Sequence, residues 1–264
     1  MLKINRSRFE KQNMKNFTKE QVEIKRNENR SATSSWMDHN NMPERMYQLF
    51  NIYLERKSTI QDEIVFFDVG AAEGCFTFSV IKHFKNFKII AFEPESERLD
   101  IFEENISLAL EQEKSEGSVE VNQVLVADGS TDVETLRHYI CHFTNGGAGS
   151  SRVHKADRPN RDYFDLSFDC IKLDDYVDAS NKVDIIKIDV EGAEILVLNG
   201  AKNFLEKHRP AIFLEIHSHP DNGAVSVKDV KEAMAEFDIN YEFHLIEEHP
   251  VPMLSYYLLK PEGE

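Results

Sequence analysis

From residue 64 onward the apolar and polar positions switch between two periods. "IVFFDVG" (64–70) is an apolar run ending in Asp-x-Gly, and 74 to 84 repeats with a helical period. "FKIIAFEP" reads as a second buried strand, "ESERLDIFEENISLAL" as an amphipathic helix and "VEVNQVLVAD" as a third strand. Then come "KVDIIKIDVEG", a helix from about residue 191, "RPAIFLEIHSH", a helix near 226 to 237, and strands near 241 to 246 and 254 to 259. Buried strands alternating with helices predict an α/β fold: a mostly parallel sheet with helices on both faces, joined by right-handed crossovers. Upstream, Met46, Leu49, Phe50, Tyr53 and Leu54 recur at helical spacing behind Pro43, predicting a helix over 41 to 57 on one edge of the core.

Composition narrows the class. The 264 residues suffice for one sizeable α/β core. No run approaches the roughly 18 apolar residues of a membrane helix, and the polar, lysine-rich start has no secretory h-region. Cys75, Cys141 and Cys170 are far apart and odd in number, so a reducing cytoplasm is the expected home. Residues 1 to 35 hold nine Lys/Arg and four Asp/Glu, a balance of +5, so the remainder carries −21 of the total −16. The expected division is a basic, loosely ordered arm over 1–40 and a folded domain over 41–264. An acidic body argues against a broad nucleic-acid footprint, which needs clustered cations.

Candidate chemistry collects at the carboxyl ends of the strands, where ligands of such sheets bind. In "DVGAAEG", Gly70 and Gly74 fall in the turn after the first strand, where small residues let a ligand approach the backbone. Glu93 ends the next strand, and an acid there can accept hydrogen bonds from the two hydroxyls of a ribose. A dinucleotide fingerprint would read G-x-G-x-x-G, whereas this turn reads G-A-A-E-G, and Glu73 would repel a pyrophosphate. S-adenosylmethionine carries an ammonium and a sulfonium but no phosphate, so Asp68, Glu73 and Asp189 suit it better.

The stretches "FFDVGAAEGCFTFSVI", "IIAFEPESERLDIFEENI", "VLVADGS", "GGAGSS", "FDCIKLDDYV", "VDIIKIDVEGAEILVLNGAKNFL" and "RPAIFLEIHSH" together resemble the FkbM family of S-adenosylmethionine-dependent methyltransferases, over about residues 64 to 219. The family's turn commonly has Asn or a small polar residue where Glu73 stands. The resemblance implies a Rossmann-like class I methyltransferase fold with seven strands ordered 3-2-1-4-5-7-6, the last antiparallel. It also implies that Asp68, Gly70, Ala71 and Gly74 line the methionine part of the cofactor. Glu93, with Pro94 beside it, would hold the ribose. Asp128 would face the adenine amine with Ala127 beside the ring, and Asp189 would sit near the methionine ammonium or the substrate.

The expected reaction is O-methylation of a glycan, a nucleotide-linked sugar or another small molecule. An RNA 2′-O-methyltransferase and a non-catalytic cofactor-binding module are the rival classes. Candidates for the base are Asp189, Glu191, Glu194, Glu215, His217 and His219, with His217 and Asp189 leading. Glu191 can equally serve as a first-turn acid of the following helix, Glu194 can point to solvent or bind the backbone, and "EIHSHP" can be a capped loop. Lys187, inside a buried strand, needs a carboxylate partner, which Asp68 or Asp189 can provide. Asp189, Glu215 and His217 lie at adjacent strand ends and could ligate a divalent ion. No ligand spacing is diagnostic of a metal, so the expectation is none: Asp189 bonds the cofactor ammonium while Glu215 and His217 pair with each other.

Between 145 and 165 a glycine-rich stretch turns basic, with Arg152, His154, Lys155, Arg158 and Arg161. It reads either as a solvated loop or as a lid presenting Arg152, Arg158 and Arg161 to an anionic acceptor. On the lid reading, charge reversal at Arg158 and Arg161 raises the acceptor KM in steady-state assays and leaves cofactor binding nearly unchanged. Equal losses of both would contradict it.

Overall fold

A computed structural model describes residues 1–6, 11–15, 44–130, 133–139, 151–152, 163–178, 182–218, 225–249 and 254–263. In chain order the elements are β1 (Leu2–Asn5), β2 (Lys11–Lys15), α1 (Glu44–Ser58), β3 (Glu63–Val69), α2 (Cys75–His83), β4 (Asn86–Phe92), α3 (Ser96–Glu113) and β5 (Ser118–Asn122). There follow β6 (Leu125–Val126), β7 (Val133–Tyr139), β8 (Ser151–Arg152), β9 (Tyr163–Ile171) and a 3-10 turn, Leu173–Tyr176. The chain continues with β10 (Ile185–Ile188), α4 (Glu194–Asn199), α5 (Lys202–His208), β11 (Ala211–His217), α6 (Val227–Met234), β12 (Tyr241–His249) and β13 (Leu254–Pro261). No helix among the described residues is long and apolar enough to cross a membrane.

The main sheet has the order β1-β5-β4-β3-β10-β11-β13-β12. Leaving β1 aside, this is the order 3-2-1-4-5-7-6, with β13 antiparallel to both neighbours. The apolar runs are buried on both faces because successive side chains of a strand point to opposite sides. Phe66 and Phe213 join Met46, Phe50 and Leu54 of α1 and the apolar faces of α2 and α3. Phe67 and Leu214 join Val197, Phe204 and Leu205 under α4 and α5 on the other face. Phe50 meets Phe76 and Phe213 edge-on, each with ring centroids 4.9 Å apart, a geometry worth ~1 kcal/mol per pair beyond burial.

Two features differ from the sequence expectations. The sheet has eight strands rather than seven, because Leu2–Asn5 is not loose but adds β1 in parallel to β5. Leu2 and Ile4 alternate with polar residues and pack on the first core cluster, and Lys3 pairs with Glu120 at 2.9 Å. The remainder of the expected arm, apart from Met1, Arg6 and β2, lies outside the described residues. Second, strands from the segment between β5 and β10 form an antiparallel sheet with β2 from the N-terminal region, in the order β2-β9-β7-β8, with β6 paired to β9 in parallel. In "YFDLSFDCI" (β9) Phe164, Leu166, Phe168 and Cys170 alternate with Asp165, Ser167 and Asp169, the period of a strand rather than a helix.

The ends of β3 and β10 approach so closely at Gly70 that a Cβ there would lie 1.8 Å from the Asp189 carbonyl oxygen, and Gly70 has φ 77°. Gly70→Ala should therefore lower unfolding free energy in urea by ~2 kcal/mol or more. Gly74→Ala should cost less, because the nearest atom, at 2.9 Å, belongs to the Phe102 ring, which can shift. A wild-type midpoint for Gly70→Ala would contradict this packing.

Candidate functional site

The carboxyl ends of β3, β4 and β10 surround a cavity open to solvent. Its wall includes Gly70, Ala72, Glu93, Pro94, Arg98, Val124, Leu125, Val126, Asp189, Val190 and Glu191. The turn after β3 is shaped by left-handed backbone at Gly70, Ala72 and Gly74. The Gly70 and Ala71 N–H groups both donate to the Phe92 carbonyl at 3.0 Å, which ties the turn to the end of β4.

Glu93 is fixed from both sides. The Ala72 N–H donates to Oε2 and the Glu95 N–H to Oε1, each at 2.9 Å. Burial pushes this carboxyl up to about 7, against the pull of Arg98. Arg98, in the first turn of α3, pairs with Glu73 at 3.4 Å and Glu95 at 3.7 Å. Burial disfavours its charge, but the surrounding Glu73, Glu95, Glu93 and Glu191 raise its pKa.

Several residues singled out in the sequence do not line the cavity. Asp68 is buried beneath the turn, accepting a 2.8 Å hydrogen bond from the Thr77 hydroxyl, and burial raises its pKa. Gly74 packs against Phe102 and Ile106. Ala71 belongs to the turn but does not line the cavity, and Glu73 faces Arg98. The Ala127 N–H donates to the Ile171 carbonyl at 2.8 Å. Asp128 accepts from the Ser130 N–H at 2.8 Å, a bond that lowers its pKa. Arg152 lies in β8 without a described side chain; His154, Lys155, Arg158, Arg161 and His219 lie outside the described residues.

A second group of charges adjoins the cavity through Asp189. Lys187, on β10, donates to the Gly70 carbonyl at 2.5 Å and pairs with Asp189 at 3.4 Å and Asp68 at 3.7 Å. Burial disfavours its ammonium, yet Asp189 and Asp68 hold its pKa above normal. Asp189 is kept below the carboxylate range because Lys187 and His217 outweigh its burial. At the end of β11, His217 Nδ1 lies 2.7 Å from Glu194 Oε1, and Nε2 lies 3.5 Å from both Glu191 and Glu215. Although burial opposes it, the bond to Glu194 and the carboxylates around it push this imidazole up to about 10. Burial and then Asp189 drive Glu215 well above its ordinary pKa.

Glu194 does not point to solvent: it is fully buried, and its Oε1 also accepts from the Gly192 N–H at 3.0 Å. Glu191 sits in the turn before α4, at φ 53°, not in the first helical turn. The partnership of Glu215 and His217 is therefore shared, with Glu194 as the closer partner of His217. Tyr256, opposite Glu215 in the β11–β13 register, hydrogen-bonds Glu215.

Arg98 and Tyr256 escaped the sequence reading. Arg98 follows Glu93 by five residues among acids, a pattern shared by any solvated helix face. Tyr256 is brought to Glu215 only by antiparallel pairing across 41 residues of sequence.

The family described as Methyltransferase FkbM domain matches residues 68–243. No curated protein matches the chain. Among solved structures, the methyltransferase FkbM of Methylobacillus flagellatus KT is similar at 16% identity and TM-score 0.49, over 80% of this chain. The match spans 47% of that protein's length, about half. An rRNA methylase from Streptococcus thermophilus is similar at 12% identity and TM-score 0.46, over 83% of this chain and 98% of that one. TrmK of M. capricolum, in complex with S-adenosyl-homocysteine, is similar at 11% identity and TM-score 0.41, over 80% of this chain and 68% of that one. With two thirds of its length matched by that family and its core strands in the order that family implies, the chain belongs to the FkbM methyltransferases.

Proposed function

We infer that the chain is an S-adenosylmethionine-dependent O-methyltransferase acting on a hydroxyl of a glycan, a nucleotide-linked sugar or another small molecule. The observation that carries this reading is Glu93, held by two backbone N–H groups on the wall of a cavity that also meets the backbone of Gly70 and the carboxylate of Asp189. The donor set fits the cofactor. Carboxylates suit an ammonium and a sulfonium, and each Glu93 oxygen retains a lone pair for a ribose hydroxyl. The acidic walls disfavour a pyrophosphate. A reducing cytoplasmic home agrees with the cysteine usage.

When bound, the cofactor supplies an already activated methyl group on its sulfonium. The residues of this chain then have to bind, align and take a proton. Gly70 and Ala72 bring backbone to the cavity with little side chain in the way. Arg98 extends over the cavity from α3 and is held in place by Glu73 and Glu95. Asp189, ionised beside Lys187 and open to the cavity, is placed to accept the acceptor's hydroxyl proton. His217 is not on the cavity wall; bonded to Glu194 and beside Glu191 and Glu215, it positions Glu215 rather than acting as the base.

Calorimetric titration with S-adenosylhomocysteine tests the cofactor reading. Glu93→Ala should weaken binding by about 1.5–3 kcal/mol, the scale of hydrogen bonds to a charged group. Glu93 must be ionised to accept from a ribose, and its carboxyl titrates at about 7. Wild-type affinity should therefore fall roughly tenfold as pH drops from about 8 to about 6, and Glu93→Gln should flatten that dependence. An unchanged dissociation constant in Glu93→Ala would remove Glu93 from the site.

A further inference from the structure

We propose that Asp189, Glu215 and His217 hold a divalent cation of the Mg²⁺ or Mn²⁺ class at the adjoining carboxyl ends of β10 and β11. One ligand atom from each lies within 4.8 Å of the others. Donors of one six-coordinate shell with bonds of about 2.1–2.5 Å stand roughly 3–5 Å apart, so small side-chain adjustments can bring all three onto one ion. Two carboxylates and an imidazole, without a thiolate, suit these harder ions.

The orientation of His217 is an independent sign. The ring is 2% exposed and its Nδ1 lies 2.7 Å from Glu194 Oε1. A ligating histidine is typically fixed in this way, its other nitrogen bonded to a carboxylate. Nε2 makes no hydrogen bond among the described residues, and it points between Glu191 Oε2 and Glu215 Oε1, each 3.5 Å away. A cation there takes the place of the Nε2 proton. Tyr256 steadies Glu215 in turn.

Charge favours the same conclusion. Asp68, Asp189, Glu191, Glu194 and Glu215 are five carboxylates around two cationic groups, Lys187 and His217, an excess of three if all ionise. Glu194 Oε2 is buried without a hydrogen-bond partner among the described residues. Uncompensated buried charge is costly, and a divalent ion in place of the Nε2 proton adds one net positive charge. Lys187 engages Asp189 through Oδ2, leaving Oδ1 for the ion. Asp189 also lines the cavity. On the methyl-transfer reading above, on which this role rests, the ion would bind the acceptor oxygen, lower its pKa and fix its position.

The test uses the full chain, treated with EDTA and titrated with MnCl₂ under electron paramagnetic resonance. The expected result is a saturable equivalent of Mn²⁺ with a nitrogen coupling in its spin-echo modulation. His217→Gln should abolish the coupling, and Asp189→Asn and Glu215→Gln should weaken binding roughly tenfold or more, with circular dichroism melts showing each variant folded. No saturable binding by the wild-type chain, or binding without nitrogen coupling, would overturn the proposal whatever the variants do. S-adenosylhomocysteine binding with no Mn²⁺ binding would refute the ion and leave the cofactor reading standing. Mn²⁺ binding without S-adenosylhomocysteine binding would support the ion site and refute the cofactor reading.

Discussion

The Lys187 ammonium is the contact on which the rest of the site depends. A lysine in the central strand of a sheet buried on both faces is expensive unless its charge is met on every side. Here it meets the Gly70 carbonyl, the Asp189 carboxylate and Asp68, and it lies 5.4 Å from the Phe76 ring centre. One cation thereby joins the carboxyl ends of β3 and β10. The same junction requires glycine at 70, because the Asp189 carbonyl occupies the space a side chain would fill. The turn and the acid that both meet the cavity are thus set by a single buried contact.

Around that contact the charges separate into two groups with Asp189 between them. On the cavity side, Glu93, Glu95, Glu73 and Arg98 form a network with one cation. Toward β11, His217 is surrounded by Glu191, Glu194 and Glu215. The carboxylates near Gly192, crowded where a core strand ends, are divided by this geometry: Asp189 looks outward, while Glu194 turns wholly inward. Burial pushes Glu215 up and Lys187 with His217 brings Asp189 down. Two carboxyls on neighbouring strand ends are thereby separated in acidity.

Much of this was legible in the chain. Runs such as "IVFFDV" and "AIFLEIH" declare strands buried on both faces, and the order of elements follows from their alternation with helices. Glu93 and Asp189 are legible because each ends such a run at the rim. The antiparallel strands β7 and β9 were not read, although β9 alternates clearly, because neither run is the long, wholly apolar stretch that marks the strands of the main sheet. β1 has only two apolar residues, too short a signal to separate from a polar leader. Tertiary charge pairing was the least legible. Nothing local distinguishes the inward Glu194 from an exposed helical acid, and His217 finds it only when the end of β11 comes beside the turn before α4.

The central claim is methyl transfer to an oxygen, and incubation of the chain with tritium-labelled S-adenosylmethionine and a panel of nucleotide sugars, glycans and RNA tests it most directly. The account predicts label on a hydroxyl of a sugar or small-molecule acceptor and none in RNA. Label in RNA, or no transfer to any member of the panel by a chain that binds S-adenosylhomocysteine, would contradict it.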